Sequence, residues 1–338
     1  MGRASGVIHR VAGVVVALYG ASIGTAAGEP ARFVVRMDGK YGYMDRDGQV
    51  VVPCEYEAAA AFSEGLAAVR RGGKYGFVDP NGALRIPPRY NETGRFSEGL
   101  CRVRIGRKWM YIDTSGRVVL RTPFSFVYDF SCGYARAELV ASRTGYVCET
   151  GYGFIDRSGK VVFALVGCEN VGEFREGLAA VRRRGLYEFM NTSGETVIPA
   201  RYEQTAGFSE GLAAVRYDER WGYITPEGAF AVEPTFESAA DFSEGLARVA
   251  AGGAVGFIDR SGSWVIQPRY VDAGNFREGF ARVNAGERWG YINRDGTVVI
   301  PMRYADAQDF SGRLALVRDT DGREYYITTQ GMPVEPRR

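Results

Sequence analysis

Short runs of alternating apolar and polar residues recur along this 338-residue chain at a fixed interval. The runs are typified by "GLAAVR", "KYGFVD" and "TVVIP", and turn residues separate them. A two-residue period is typical of half-buried β-strands, because successive side chains of a strand point to opposite faces. The pattern therefore predicts an all-β fold with three short antiparallel strands in each unit.

A phenylalanine marks most units, and it is usually followed by an acid–glycine element such as "FSEGL" or "FREGL". These residues are spaced by 34 positions except for one gap of 44, and they are Phe62, Phe96, Phe130, Phe174, Phe208, Phe242, Phe276 and Phe310. A fixed period of this length indicates a stacked repeat in which each unit needs its neighbours to complete a core.

A second motif is an aromatic–glycine–aromatic triplet, as in "YGYMDRDGQVVVP" from Tyr41. Residues two apart share one face of a strand, so the two rings point the same way while the glycine leaves the other face bare for a second backbone. We interpret the rings as a core ladder; the alternative is an exposed row that stacks on sugars or peptides. The triplet glycines are Gly42, Gly76, Gly153, Gly222, Gly256 and Gly290.

A short polar residue, most often an acid such as Asp45 but Thr225 or Asn293 in two units, follows each triplet, and a glycine such as Gly48 comes three residues later. We interpret the acid as a turn former that accepts a backbone N–H two residues on, rather than as a metal ligand. The glycine is expected at a positive φ. The next strand often ends in a proline such as Pro53, where we expect strand pairing to stop because proline lacks an N–H.

Nine such units follow one another from residue 31, and both ends carry a full set of three strands. Because neither end shares a unit with the other, we expect an open, curved, solenoid-like array; the alternative is a closed toroid like a β-propeller. Residues 31–338 are predicted to form a single domain. One unit, at 121–170, is irregular and carries an extended hairpin at 133–150.

The segments "KYGYMDRDG", "RWGYITPEG" and "RWGYINRDG", each coupled to "FSEGLA-V" or a variant, resemble the bacterial WG repeat, also called the KWG repeat. The resemblance runs from residue 31 to about 335. It implies a β-rich repeat domain used for binding or scaffolding, and it implies no reaction because the family has no shared catalytic residues. Three units depart from the motif glycine, with Met110, Glu188 and Tyr325.

The N-terminal segment resembles an export signal. Residues 1–27 combine Arg3 and Arg10 with a short apolar run and small residues, which predicts a cleaved signal peptide; an uncleaved membrane anchor is the alternative. The protein is thus expected to be periplasmic or extracellular, with no membrane span after cleavage. The chain has 42 basic and 40 acidic residues, so cleavage would leave 40 of each, and this balance argues against a nucleic-acid partner.

Few residues in the chain suggest catalysis. The only histidine is His9, so imidazole chemistry is absent after residue 27. We predict no catalytic, cofactor-binding or metal-binding residues. The repeated loop acids are expected to accept backbone N–H groups in their own loops or to pair with strand arginines. These acids are Glu64, Glu98, Glu176, Glu210, Glu244 and Glu278, and the arginines are Arg70, Arg104, Arg182 and Arg216.

Three of the five cysteines lie in or beside the irregular unit, and none forms a C-x-x-C pair. In an oxidising compartment a Cys132–Cys148 disulfide could hold the long hairpin, and Cys148–Cys168 is the alternative.

We expect a non-enzymatic binding or scaffold protein of the cell envelope, whose partner is a protein or a glycan. One alternative is a structural spacer without a ligand. Another is a glycan-active enzyme that uses acids of the irregular unit, such as Glu138, Glu149, Asp156 and Glu169.

Overall fold

Each repeat folds as an antiparallel meander, and the computed structural model contains nine such sheets. It describes residues 30–140 and 150–337, and within them every regular element is a β-strand. In the same residues, no helix is long and apolar enough to cross a membrane.

The first four units contain fifteen strands. In chain order they are β1 (Phe33–Met37), β2 (Lys40–Met44) and β3 (Val50–Tyr56) in unit 1; β4 (Ala58–Ala59), β5 (Ala67–Arg71), β6 (Lys74–Val78) and β7 (Leu84–Tyr90) in unit 2; β8 (Glu92–Thr93), β9 (Leu100–Ile105), β10 (Lys108–Asp113) and β11 (Val118–Arg121) in unit 3; and β12 (Phe126–Ser131), β13 (Tyr134–Val140), β14 (Thr150–Ile155) and β15 (Val161–Leu165) in unit 4.

The remaining five units contain twenty strands. They are β16 (Asn170–Val171), β17 (Leu178–Arg183), β18 (Leu186–Asn191) and β19 (Thr196–Tyr202) in unit 5; β20 (Gln204–Ser209), β21 (Leu212–Tyr217), β22 (Arg220–Ile224) and β23 (Phe230–Phe236) in unit 6; β24 (Ser238–Ala239), β25 (Ala247–Ala251), β26 (Ala254–Ile258) and β27 (Trp264–Tyr270) in unit 7; β28 (Asp272–Ala273), β29 (Phe280–Asn284), β30 (Trp289–Asn293) and β31 (Val298–Tyr304) in unit 8; and β32 (Asp306–Ala307), β33 (Leu314–Arg318), β34 (Glu324–Thr328) and β35 (Pro333–Val334) in unit 9.

Eight of the nine sheets have four strands, which corrects the prediction of three strands per unit. The additional strand precedes the other three and is often only two residues long, as in β4. It pairs with β5 through Ala58 with Arg70 and Ala59 with Val69. A two-residue strand shows no period in the sequence, so the pattern of apolar residues could not reveal it.

The predicted open array is wrong, because the nine sheets close into a ring as the blades of a β-propeller. The segment after β35 lies parallel to the start of β3: the Arg337 N–H donates to the Gly48 carbonyl at 2.7 Å, and the Val50 N–H donates to the Arg337 carbonyl at 2.8 Å. The Tyr326 hydroxyl also donates to the Val34 carbonyl at 3.0 Å. The toroid that the sequence left as the alternative is therefore the observed form.

The core consists of ring pairs that join each unit to the next. The second aromatic residue of each triplet packs on the landmark phenylalanine of the following unit, with centroids 4.5–5.1 Å apart. At the closure Tyr326 packs on Phe33 at 5.4 Å. Most pairs are edge-to-face or tilted, the arrangement that aromatic quadrupoles favour. No unit thus completes its core alone. The pairs in chain order are Tyr43–Phe62, Phe77–Phe96, Tyr111–Phe130, Phe154–Phe174, Phe189–Phe208, Tyr223–Phe242, Phe257–Phe276 and Tyr291–Phe310.

In every unit with a triplet glycine except unit 4, where Gly153 pairs with Ala164, this glycine faces a bulge in the last strand of its own unit. In unit 8, Trp289 pairs with Tyr304 but Tyr291 pairs with Ile300, so residues 301–303 bulge opposite Gly290. A Cβ on Gly290 would lie 2.5 Å from the Ile300 carbonyl oxygen. The strand therefore continues past Pro301 instead of ending there, and the proline lies in the bulge, where no ladder N–H is needed.

Candidate ligand-binding site

The loop motif "FSEG" connects neighbouring units through hydrogen bonds on one face of the ring, which we call the loop face. This face carries the loops that contain the landmark phenylalanines and the turns between the last two strands of each sheet. The motif serine donates to the carbonyl of the next landmark phenylalanine, as from Ser243 to Phe276 at 2.8 Å. The motif glutamate accepts the N–H of the next loop's glycine, as Glu244 does from Gly279 at 2.9 Å.

The glutamates therefore bind the following loop, whereas the sequence predicted that they bind their own loops. Each also adopts a positive φ near 50–56°, which orients its side chain along the ring. The pairs are Glu64 with Gly99, Glu98 with Gly133, Glu176 with Gly211, Glu210 with Gly245, Glu244 with Gly279, and Glu278 with Gly312.

The predicted partners of the strand arginines are also wrong. Arg70 pairs with Glu57 at 3.6 Å, Arg182 with Glu169 at 3.4 Å and Arg216 with Glu203 at 3.4 Å. Arg104 pairs with Glu92. These acids lie where the chain crosses from one unit to the next, on the face opposite the loop face. Several of them also accept the N–H of their own hairpin turn, as Glu169 does from Gly185 at 2.9 Å.

The turn acids have the local role that the sequence predicted. The Asp45 Oδ1 accepts the N–H groups of Asp47 at 3.0 Å and Gln49 at 2.9 Å, and Gly48 has φ 88°. In three turns a serine hydroxyl also donates to the aspartate and lowers its pKa below the usual range: Asp113 with Ser115, Asp156 with Ser158, and Asp259 with Ser261.

The buried tyrosines of the ring pairs donate to a backbone carbonyl of the next unit, as Tyr291 does to Gln308 at 2.7 Å. Burial raises the pKa of these hydroxyl groups well above the usual range, so they remain protonated donors at alkaline pH, where an exposed tyrosine would ionise. The set comprises Tyr43, Tyr111, Tyr223, Tyr291 and, at the closure, Tyr326. Burial also raises the pKa of the Cys101 thiol to about 12.

The loop motif changes where units 9 and 1 meet, a place that we call the seam. Unit 9 reads "FSGR", so Gly312 stands at the glutamate position and Arg313 at the glycine position. A cavity of about 550 Å³ lies here on the loop face. Its walls come from units 8, 9, 1 and 2, and they include the rings of Phe33, Phe62 and Phe280.

Positive charge dominates the lining of the seam cavity. Its charged residues are Arg32, Arg46, Arg313 and Glu278. The Arg32 Nε donates to the Pro80 carbonyl at 2.7 Å, and the Arg46 Nε donates to the Gly312 carbonyl at 3.1 Å. No carboxylate of the described residues forms a salt bridge with these three guanidinium groups. Glu278 is itself bound by the Gly312 N–H at 2.6 Å and the Arg313 N–H at 2.7 Å.

The acids proposed for glycan chemistry are used in separate local contacts. Asp156 caps a turn on the loop face, and Glu169 pairs with Arg182 on the opposite face. Glu138 accepts the Ser125 hydroxyl at 3.4 Å. Glu149 lies outside the described residues. Within residues 30–140 and 150–337, no group of three or more His, Cys, Asp or Glu side chains could hold a metal ion.

The predicted disulfides both involve Cys148, which lies outside the described residues. Cys54, Cys101, Cys132 and Cys168 are not joined to one another by a disulfide. Cys132 is exposed on the loop face at the position that a glutamate holds in the neighbouring loops, and its Sγ lies 3.8 Å from the Phe174 carbonyl oxygen. The strands β13 and β14 of the long hairpin stay paired as far as Val140 and Thr150.

The model of the WG-containing repeat matches this chain eight times, at residues 41–75, 75–109, 109–139, 152–187, 189–221, 221–253, 256–288 and 289–322. The chain belongs to the WG-repeat family.

No curated protein is significantly similar to this WG-repeat chain. Among solved structures, the computationally designed Ika8 protein is 11% identical, with a TM-score of 0.49, and the match covers 82% of this chain and 99% of that one. BamB from Moraxella catarrhalis is 10% identical, with a TM-score of 0.43 and coverage of 89% and 92%. Apo AztD from Citrobacter koseri is 13% identical, with a TM-score of 0.43 and coverage of 90% and 96%. These likenesses are too distant to carry an argument about function.

The seam residues of the WG-repeat ring are the part of the site that the sequence did not single out. One signal was present: among the eight landmark loops, only the last replaces the motif glycine by an arginine, Arg313. The motif alone could not show that Arg32 and Arg46 lie beside it, because that proximity depends on ring closure.

Proposed function

We propose that this WG-repeat ring is a non-enzymatic binding protein that binds an extended, acidic segment of a partner protein at the seam. The observation that carries the proposal is the edge of β1 that no described strand covers, beside the arginine-lined cavity. The sequence prediction of an export signal leads us to expect the partner in the cell envelope.

The open edge favours a peptide over a glycan. Among the described strands, β1 pairs only with β2, whereas the equivalent strand of unit 2, β5, pairs on both edges. In unit 2 the carbonyls of Ala68 and Arg70 accept N–H groups from the chain beside them. The equivalent residues in β1 are Val34 and Arg36. The Val34 carbonyl accepts the Tyr326 hydroxyl, so an added strand would pair with the Val34 N–H and with the backbone groups of Arg36. A peptide can add to such an edge as a further strand, and its main-chain hydrogen bonds then supply much of the affinity.

The cavity beside this edge complements acidic and aromatic side chains. Arg32, Arg46 and Arg313 offer three guanidinium groups, and the fixed fork of a guanidinium matches the two oxygens of a carboxylate. The rings of Phe33 and Phe62 give the same cavity an apolar wall. A partner segment with acidic and aromatic residues two positions apart would place both kinds of side chain on the face that enters the cavity.

The experiment measures binding of a fluorescent peptide of the pattern Glu-Ser-Phe-Ser-Glu, which keeps its acidic and aromatic residues on one face of a strand, to the full chain by fluorescence anisotropy. We expect Arg46→Gln to weaken binding about 10-fold, which is ~1.4 kcal/mol. The matched control is Arg294→Gln, because Arg294 holds the same turn position in unit 8 but lies by Glu244. A peptide with lysine in place of glutamate should not bind.

A second pair of variants tests strand addition itself. Arg36→Pro removes an N–H that faces the open edge and leaves the ladder between β1 and β2 intact, so it should abolish binding, whereas Arg36→Ala should retain it. Equal binding by the two variants would contradict the proposal. Slow hydrogen exchange of the Val34 and Arg36 amides in the ligand-free chain would also overturn it, because it would show that the edge is already paired.

A further inference from the structure

One strand position carries an arginine in four units, and in three of them an aspartate neutralises it. In unit 3 the Arg102 Nε donates to Asp129 of unit 4 at 2.9 Å, and in unit 8 the Arg282 Nε donates to Asp309 of unit 9 at 2.9 Å. In unit 7 the Arg248 Nη1 donates to Asp272 of unit 8 at 3.1 Å. Units 3 and 8 thus use an aspartate at the same repeat position, and unit 7, which meets Asn275 there, uses Asp272 instead.

The path of this arginine requires a small residue beside it. In unit 3 the guanidinium passes over Gly94, where a Cβ would lie 2.8 Å from the Arg102 Nε. In unit 8 it passes over Gly274, where a Cβ would lie 2.7 Å from the Arg282 Nε. A Cβ at this position therefore blocks the path to the aspartate that directly precedes the next landmark phenylalanine. In unit 7, where Ala240 stands there, Arg248 reaches a different acid of the next unit, Asp272.

Unit 4 has the arginine but not the glycine. Tyr128 stands at the glycine position, and the guanidinium carbon of Arg136 lies 3.6 Å from the centroid of its ring. Tyr152 lies on another side, with its centroid 5.6 Å away. No described carboxylate forms a salt bridge with Arg136, and its Nε is buried without a hydrogen-bond partner. The position equivalent to Asp129 is Glu173, whose side chain is exposed.

The nearby acids are used by other partners. Asp129 is bound to Arg102, and Glu138, two residues from Arg136 on β13, accepts the Ser125 hydroxyl. A half-buried guanidinium without a counter-charge is costly, because burial removes part of its hydration and no acid replaces it. Stacking on two aromatic faces also restricts its rotamers, which reduces the entropy lost when a ligand binds.

From this contrast within one chain, we infer that the junction of units 4 and 5 binds an oxyanion, a carboxylate or phosphate group, at the guanidinium of Arg136. Tyr128 blocks an ion pair between Arg136 and an acid of the next unit. The same ring holds the Arg136 guanidinium in place, where it can pair with a bound anion. The site is separate from the seam and does not rest on the function proposed there.

The test follows the side-chain Nε–H signals of arginine by NMR while the full chain is titrated with sodium acetate and, separately, with sodium phosphate at constant ionic strength. We expect the Arg136 signal to shift saturably in the millimolar range with at least one anion, while the signals of Arg102 and Arg282 stay unchanged. The stronger of the two responses identifies the preferred oxyanion. Equal shifts of all three signals, or none at Arg136, would overturn the inference.

Two variants separate oxyanion binding from general folding effects. Arg136→Gln should lower the anion affinity measured by calorimetry at least 10-fold, and Arg282→Gln, at the same position of unit 8, should leave it unchanged. The double change Tyr128→Gly with Glu173→Asp rebuilds the arrangement of unit 3, so an internal acid should replace the ligand and abolish binding while the fold is kept. Undiminished binding in that variant would contradict the inference.

Discussion

The landmark phenylalanines should each stabilise the whole ring, and Phe276→Ala tests this most directly. Phe276 is fully buried, and its ring lies 4.9 Å from that of Phe257 in the preceding unit. Truncation would leave a cavity between two units that their rigid sheets cannot close. We therefore expect the free energy of unfolding to fall by about 3–5 kcal/mol.

The matched control is Phe62→Ala. Phe62 makes the same ring pair, with Tyr43 at 4.8 Å, but it is only partly buried because it lines the seam cavity. Water can fill the space left there, so we expect a smaller loss of about 1–2 kcal/mol.

Urea unfolding followed by circular dichroism measures both losses, with an unchanged slope against urea as the sign that the same structure unfolds. If Phe276→Ala costs less than about 1 kcal/mol, or no more than Phe62→Ala, the rings do not hold the units together as the packing implies.

Four further predictions concern residues that join neighbouring units. Tyr291→Phe leaves the Gln308 carbonyl without its donor and should cost about 1 kcal/mol in urea unfolding. Burial raises the pKa of the Tyr291 hydroxyl in the folded state, so the unfolded chain loses this hydroxyl proton at lower pH than the folded chain does. The free energy of unfolding should therefore fall as pH rises above about 10. Absorbance titration of tyrosinate measures the delayed ionisation in the folded chain. Arg337→Pro removes the N–H that closes the ring and should lower the melting temperature more than Arg337→Ala, which keeps it. Glu210→Ala leaves the N–H groups of Glu244 and Gly245 to water and should cost about 1 kcal/mol, whereas Glu227→Ala, in an exposed turn, should cost nothing measurable by thermal denaturation.

The repeating unit could be read from the sequence because its determinants are local. The spacing of the landmark phenylalanines, the strand alternation and the turn pair of Asp45 and Gly48 all lie within one 34-residue period. Each of these features depends on backbone geometry that neighbouring residues impose, such as the positive φ of Gly48. The described residues accordingly show WG repeats in tandem whose regular elements are all β-strands.

The closure of the ring and the hydrogen-bond partners of the charged residues could not be predicted from local sequence patterns. Closure depends on Arg337 meeting Gly48 and Val50, almost a full chain length away, and no local pattern records that distance. The loop glutamates lie close in sequence to several N–H groups, so the sequence favoured their own loops. The structure shows that the positive φ at Glu244 sends its carboxylate to the next loop instead.

The two candidate sites share a physical origin, which explains why they lie where the repeat is broken. In the regular units the motif serines, glutamates and tyrosines already hydrogen-bond to the next unit, so they have little left to offer a ligand. At the seam the glutamate and glycine positions hold Gly312 and Arg313, and in unit 4 Tyr128 replaces a glycine. Each change leaves a guanidinium without an internal acid while the surrounding ring pairs remain. Under the binding roles proposed here, residues at these positions can vary while the ring stays folded, because the lost ion pair contributes little to stability compared with the buried rings.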